Sequence, residues 1–363
     1  MIPLVIDLET AWRGGQNQAL LLLRGLYERG HAAELLTAKG SSLGHRAKKE
    51  GIYVHYASRG LFRLGAAARV RSLMSDGRID LVHANEAHAV TAAWLAGAHR
   101  QVPFVISRRV GYPLGKSGIA RMRYRSASCI LANSQWVADQ AIASGAPADK
   151  VRVVYEGAEL PSPITPDQRR AARRKWGVED GTPLLGCVGV LLPDKGQEWL
   201  IRALADLRKD FPSAKLLLAG DGGSRSRLES LARELKLEHA VIFAGFVRDV
   251  ENVYAALDVF LLPSFFEALN NSLLAAMSYE IPSIAFRRGA LTEIIEDGVS
   301  GTIVSGPEVA EIRDAVAAFL RDPALAQRIG RAGRARVADR FTAERMVEGT
   351  MQIYDQLLAV APR

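Results

Sequence analysis

Short apolar runs recur along the chain and alternate with segments of helical period. VIDL, AELLTA, YVHYA, DLVHA, PFVIS, SCILA and VRVVY fall in the first half, and PLLGCVGV, AKLLLAG, AVIFAG, DVFLLP and PSIAF in the second. Short, nearly continuous β-type runs separated by helical segments indicate parallel strands covered on both faces. With right-handed crossovers such strands build doubly wound sheets. The alternation breaks once, at EGAELPSPITPDQRRAARRKWGVEDGTP (156–183), which carries four prolines and a charge run. This places a domain junction near 160, with RRAARRKWG as a short helix before a second sheet. The expected fold class is therefore α/β, with two Rossmann-like doubly wound domains, 1–160 and 161–341. Two such domains joined by one linker leave a cleft between them. Ligands of open α/β sheets bind beyond the carboxyl ends of strands.

Composition narrows the class. A length of 363 residues corresponds to two or three domains of roughly 150 residues each. Hydrophobic residues at 48% and charged residues at 24% exclude a largely disordered chain. The formal charge of +8 admits nucleic acid, anionic lipid or phosphorylated ligands without choosing among them. Two cysteines, Cys129 and Cys187, are too few for a metal cage or a disulfide framework and read as small buried side chains. Asp7 interrupts the first apolar run, so a secretory leader is not expected. Arg24 interrupts ALLLLRGLY, and no apolar run is long enough for a spanning helix.

Chemistry concentrates where strands end. LDVFLLPSFFEALNNSLLAAMSYEIPSIAF (257–286) reads as strand, loop, helix, strand. Glu267 lies in the loop, and Asn270 or Asn271 is the expected cap of the helix. A helix start offers unbonded N–H groups and a positive dipole end, which suit a phosphate. A carboxylate beside phosphate would repel it and suits sugar hydroxyls instead. A solvated loop acid beside a merely capped helix explains the same residues equally well. In GCVGVLLPDKGQEWLIRAL (186–204) a strand turns at Pro193-Asp194-Lys195-Gly196 into a helix, so Lys195 stands at the mouth of the same sheet. An ammonium fixed there could neutralise a leaving diphosphate. The plainer alternative is a turn lysine pointing to water.

In the first half, Gly14-Gly15 separates a strand from an amphipathic helix and permits close approach of a ligand, or simply a tight turn. Arg108 and Arg109 follow another strand and suit phosphate or carboxylate, or are surface charges. His88, in VHANEAHA, follows a strand and is a candidate hydrogen-bond donor to substrate. GYPLGKS, ending on Lys116, imitates a phosphate loop but is one residue short, and Pro113 removes an N–H that the cradle needs. SRGLFRLGAAARVRSLM interleaves Arg59, Arg63, Arg69 and Arg71 with apolar residues, and Arg121, Arg123 and Arg125 add charge nearby. Such a helix can rest on anionic lipid, or have one core face and one solvated face. No nucleic-acid-binding module is evident.

These segments together resemble glycosyltransferase family 4, of two-domain GT-B architecture. The resemblance covers nearly the whole chain and is most specific from about 184 to 305. It rests on GFVRDVENVYAALDVFLLPSFFEALNNSLLAAM, TEIIEDGVSGTIV and GVLLPDKG, and on RRVGYPLG and SQWVADQAIASGAPADKVRVVYEGAEL. FTAERMVEGTMQIYDQLL resembles a terminal helix that crosses back onto the first domain, assigning about 342–363 to that domain. The resemblance implies metal-independent transfer of a sugar, with retention, from a nucleotide-diphosphate sugar as co-substrate, with no other cofactor. Glu267 would hold sugar hydroxyls, the backbone at Asn271, Ser272 and Leu273 beside Asn270 the phosphates, and Lys195 the departing diphosphate. Gly15 would lie against the phosphates, with Gly14, His88, Arg108 and Arg109 as further substrate contacts. The first domain would serve the acceptor and the second the donor. Similarity to bacterial cell-envelope enzymes implies a glycolipid, lipopolysaccharide or polysaccharide acceptor. The expected location is cytoplasmic, with peripheral contact to the inner face of an anionic membrane.

Departures from the family pattern carry a second reading. The second acid of E-x7-E falls at Ala275, and the arginine five residues before the basic lysine falls at Val190. Ala268 and Asn270 stand where glycines are usual, and Ser107-Arg108-Arg109 where a histidine is. A nucleotide-sugar-binding protein with weak or no turnover would show such losses.

Overall fold

A computed structural model describes residues 1–57, 62–115 and 118–360. Arg59 and Lys116 lie outside the described residues. The chain divides into two compact units, Met1–Gly157 with Thr342–Arg363, and Ala158–Phe341. Among the described residues no helix is long and apolar enough to cross a membrane.

The first unit is built on seven parallel strands: β1 (Pro3–Asp7), β2 (Glu34–Ala38), β3 (Tyr53–Ala57), β4 (Leu81–Ala84), β5 (Phe104–Arg108), β6 (Cys129–Ala132) and β7 (Val151–Val153). Their order is β3-β2-β1-β4-β5-β6-β7, so the winding reverses between β1 and β4. The helix Ala343–Val360 returns to this unit, burying Met346, Val347 and Tyr354 in its core. Two glycines admit it. A Cβ on Gly25 would lie 2.5 Å from a Val347 methyl, and one on Gly157 would lie 2.4 Å from the Ala343 Cα.

The second unit has six parallel strands: β8 (Leu184–Val188), β9 (Lys215–Ala219), β10 (Val241–Gly245), β11 (Val259–Leu262), β12 (Ser283–Phe286) and β13 (Thr302–Val304). Their order is β10-β9-β8-β11-β12-β13, with the reversal between β8 and β11. Every apolar run named from the sequence overlaps one of the first twelve strands. The thirteenth, β13, does not stand out because its apolar run is only Ile303-Val304, between Thr302 and Ser305. The helix of the proline-rich stretch spans Pro166–Lys175 and starts with a capping box between Thr165 and Gln168. Its charge run is partly internal: Arg173 is buried, and both Arg169 and Arg173 reach Asp258. Both cysteines are buried free thiols, pushed up by burial to about 11 at Cys129 and about 12 at Cys187.

Candidate functional site

In open α/β sheets the crevice for ligands opens at the carboxyl ends of the two strands where winding reverses. In the second unit those strands are β8 and β11, and the loops that follow them carry Lys195 and Glu267. The chain leaves β8, makes a single 3-10 turn at Pro193–Lys195, and enters the helix Gln197–Leu207 through Gly196 in the left-handed region, φ 68°. A Cβ on Gly196 would fall 2.2 Å from the carbonyl oxygen of Pro263, the residue just after β11. Glycine thus lets the two loops touch. The Phe265 N–H donates to the Asp194 carbonyl at 2.9 Å, tying them together.

Glu267 is held from its other side. The Ala290 N–H donates to the Glu267 carbonyl at 3.2 Å, and Gly289, φ 55°, passes so close that a Cβ would sit 1.9 Å from that oxygen. The result is a buried Glu267 carboxylate that accepts from Lys195 Nζ at 2.6 Å. The lysine side chain stays 23% exposed, so one end of the pair faces solvent.

The helix Asn271–Ser278 begins four residues after Glu267. Asn270 is its cap, with Oδ1 accepting from the Leu273 N–H at 2.9 Å. The expectation that Leu273 offers its N–H to phosphate therefore needs correction, because Asn270 already occupies that donor. Asn271 and Ser272 are the first two residues of the helix, where the positive end of its dipole lies. The Ser272 hydroxyl meets Tyr254, whose burial pushes its phenol well above the ordinary range. Tyr254 in turn stacks on Tyr279, with ring centroids 5.5 Å apart, which braces both ends of this helix. Ala275, one turn on, is half-buried and brings no polar atom, and Val190 is exposed.

The first unit reverses its winding at β1 and β4, and a polar network fills the carboxyl ends there. Asp7 is fully buried and accepts from Asn85 Nδ2 at 2.6 Å and from Gln16 Nε2 at 2.9 Å. The same amide of Asn85 reaches the Gly15 carbonyl at 3.2 Å. Arg109 donates to Asn85 Oδ1 at 2.5 Å and forms an ion pair with buried Glu156 at 2.9 Å. Its Cδ would lie 3.9 Å from a Cβ on Gly15. Gly15 and Arg109 are thus brought together, while Gly14 opens the helix Gly14–Glu28. Arg108 turns away, donating to the Tyr112 carbonyl and the Tyr124 hydroxyl. Both arginines thus have hydrogen-bond partners, and Arg109 alone of the two has an acidic one among the described residues.

Burial dominates the electrostatics of this network. It raises the Asp7 carboxyl above the usual carboxylate range, against hydrogen bonds from Asn85 and Gln16. It pushes Glu86 up to about 7, against the N–H bonds that Glu86 accepts from His88, Ala89 and Leu8. His83 is driven down to about 3 by burial and by the Arg109 charge. This neutral imidazole joins Tyr354 Oη at 2.5 Å and Ser107 Oγ at 2.7 Å, linking β4 to the returning helix. Beside it a small cavity is lined by Ser107, Arg109, Asn133 and Glu156, and both amide atoms of buried Asn133 lack a partner.

His88 accepts at Nδ1 from Arg63 at 3.1 Å, and its other ring nitrogen lies 3.9 Å from Glu9. Glu9, Glu86 and His88 bring ligand-type atoms within 4.8 Å of one another. Glu86 is the cap of the helix Ala87–Ala96 and Arg63 places a positive charge on His88, which suits capping better than a cation. Asn85, Glu86, Asn133 and Glu156 were not singled out from sequence. The Asn-Glu pair directly after β4 was the signal available; Glu156 carried none.

The family model "Glycosyltransferase Family 4" matches residues 12–160, and "Glycosyl transferases group 1" matches 168–336. A D-inositol 3-phosphate glycosyltransferase of Acidothermus cellulolyticus is 30% identical over 335 residues, covering 81% of this chain and 71% of that protein. The chain belongs to glycosyltransferase family 4. A GDP-mannose-dependent phosphatidylinositol monomannoside mannosyltransferase of Mycolicibacterium smegmatis is 29% identical over 285 residues, 74% of each chain. The crystal structure of Anabaena Alr3699/HepE in complex with UDP-glucose superimposes with a TM-score of 0.84 at 23% identity, over 98% of this chain and 100% of that one. The fold is shared with GT-B structures. Family 4 enzymes are retaining glycosyltransferases that take their sugar from a nucleotide sugar, and the acceptors named for the relatives differ.

Proposed function

We propose that this family 4 enzyme moves a hexose or related sugar from a nucleotide-diphosphate sugar to a cell-envelope glycolipid, lipopolysaccharide or polysaccharide precursor. The donor binds at the β8/β11 reversal of the second unit, and residues of the first unit serve the acceptor. One observation carries the reading: Lys195 and Glu267 meet at 2.6 Å at the carboxyl ends of those two strands.

The chemistry needed is stabilisation of a leaving group. As the glycosidic bond to the diphosphate breaks, negative charge grows on the phosphate oxygens. The Lys195 ammonium, fixed by its carboxylate partner, meets that charge without reorganising. The N–H groups of Asn271 and Ser272 at the helix start add a positive dipole end. Glu267 accepts hydrogen bonds from sugar hydroxyls and sets the pose of the anomeric carbon. No strong nucleophile is required. The acceptor oxygen attacks the face the diphosphate leaves, and a phosphate oxygen takes its proton. Gly15 leaves room for substrate at the first-unit network, where Asn85 and Arg109 are preset. In a transfer assay Glu267→Ala should abolish product while its unfolding transition stays cooperative. Full activity in that variant would remove the assignment.

A second reading has its own observation. Ala275 offers no acid on the helix behind the phosphate site, and the side chain at position 190 is an exposed valine. A protein that binds nucleotide sugar and turns it over slowly fits these losses. Calorimetry with a panel of nucleotide sugars separates the two. Binding with release of nucleoside diphosphate supports the enzyme, and binding without release supports the second reading.

A further inference from the structure

A carboxylate withdrawn from water is ordinarily covered by several donors, because leaving it short of hydrogen bonds costs free energy. Asp7 follows that rule, accepting from Asn85, Gln16 and the Glu9 N–H. So does the partly exposed Asp258, which accepts from Arg169, Arg173 and the Leu184 N–H. Glu267 departs from it. Its side chain is 9% exposed, and among the described residues its carboxylate accepts from Lys195 alone, through Oε1. Oε2 is therefore short of donors, at the carboxyl ends of β8 and β11. The two partners also differ in freedom. The Glu267 backbone is gripped by Gly289 and Ala290. Lys195 has a long flexible stem, and its ammonium carries further N–H donors beside the one that Glu267 takes.

We propose that Glu267 discriminates between the intact donor and the spent nucleotide, holding the first and expelling the second. The inference rests on the reading that the donor's diphosphate meets Lys195. With the intact donor, sugar hydroxyls donate to Oε2 and complete the hydrogen bonding of the carboxylate. The ammonium then turns its remaining N–H groups to the diphosphate. Transfer carries those hydroxyls away on the acceptor. What remains is a carboxylate with a single donor beside a diphosphate, two anions sharing one ammonium where water screens them poorly. The carboxylate is fixed through its backbone, so it is the nucleoside diphosphate that leaves. Donor and product share the whole nucleotide, so contacts to that part cannot tell them apart. A repulsive group that only the sugar neutralises can. A carboxamide of the same shape would still accept from sugar hydroxyls but would lose the repulsion.

The test is titration calorimetry of the full chain without acceptor. UDP, GDP, ADP and dTDP are each titrated beside the corresponding hexose nucleotide, and the pair that binds wild type is carried through the variants. In Glu267→Gln the nucleoside diphosphate should bind about tenfold more tightly while the nucleotide sugar does not gain. Glu267→Ala should show the same gain for the diphosphate and a loss for the sugar form. Glu267→Asp keeps the charge and should not tighten diphosphate binding. Lys195→Ala should weaken both ligands, and adding Glu267→Gln to it should recover no more than about twofold, because the gain depends on the freed ammonium. Diphosphate binding unchanged or weaker in both Glu267→Gln and Glu267→Ala, with Lys195→Ala still weakening both ligands, overturns this inference and leaves the donor reading standing. Equal tightening in Glu267→Asp overturns it as well. No effect of Lys195→Ala on either ligand, or no binding of any pair, removes the donor reading and this inference with it.

Discussion

The two sheets reverse their winding at corresponding places and furnish those places differently. At β8/β11 two loops are pressed together by glycines, and a single direct ion pair, Lys195–Glu267, spans them with the lysine partly open to solvent. At β1/β4 the carboxyl ends carry a buried network in which Asp7, Asn85, Arg109 and Glu156 are mutually bonded. An open lysine on a fixed carboxylate is suited to a charge that arrives and grows. A closed network in which each charged group is already hydrogen-bonded is suited to holding shape. The contrast teaches that equal topology sets where chemistry sits, while the degree of internal pairing sets what it does.

Substitutions sharpen the contrast. The largest effect is expected for Lys195→Ala, with kcat/KM for sugar transfer falling about 10³-fold, the scale of losing a preorganised charge partner of the transition state. Steady-state kinetics checks it. Arg109→Met removes one partner of a buried pair and should cost about 3 kcal/mol of stability. Urea unfolding measures this, and a neutral result would mean the first-unit network is not closed. Gly196→Ala comes next. Its φ of 68° and a Cβ 2.2 Å from the Pro263 oxygen force the two loops apart. A loss of about 2 kcal/mol is expected, together with weaker donor binding.

An effect of similar size to the last is expected in pH dependence. The folded value for Glu86, about 7, lies above the ordinary 4.5, so its contribution is present at low pH and is lost as pH rises through 7. For His83 the folded value of about 3 lies below 6.5, so its contribution is present above 6.5 and is lost as pH falls toward 3. Between 4.5 and 6.5 the two slopes oppose. Glu86→Gln keeps an acceptor for the helix cap and removes one slope. Its stability relative to wild type should improve by about 2 kcal/mol as pH rises from about 5 to about 7. A constant difference across that range would contradict the burial of Glu86.

Much of this was legible in the chain, for identifiable reasons. Strands within parallel sheets leave continuous apolar runs, so twelve of them stood out, and only β13 did not, because just Ile303 and Val304 of it are apolar. Lys195 and Glu267 stood out because each directly follows such a run, and parallel winding then sends both to the same side. Asn85 and Glu156 did not stand out. Their significance comes from one arginine that binds both, and they lie on loops after β4 and β7 that no local pattern connects. The arginine partners were equally hidden. RRAARRKWG reads as a solvated charge run, yet Arg173 is buried against Asp258 and three carbonyls. The Asn270 cap was legible, but its consequence, that the Leu273 N–H is taken, needed the geometry.

The central claim is that the β8/β11 reversal, and not the β1/β4 reversal, holds the donor's diphosphate. Titration calorimetry of a nucleoside diphosphate into wild type, Lys195→Ala and Arg109→Met tests it most directly. The account predicts a Kd raised about 100-fold in Lys195→Ala, equivalent to about 3 kcal/mol, and unchanged in Arg109→Met. An unchanged Kd in Lys195→Ala, with the loss appearing in Arg109→Met, would contradict it.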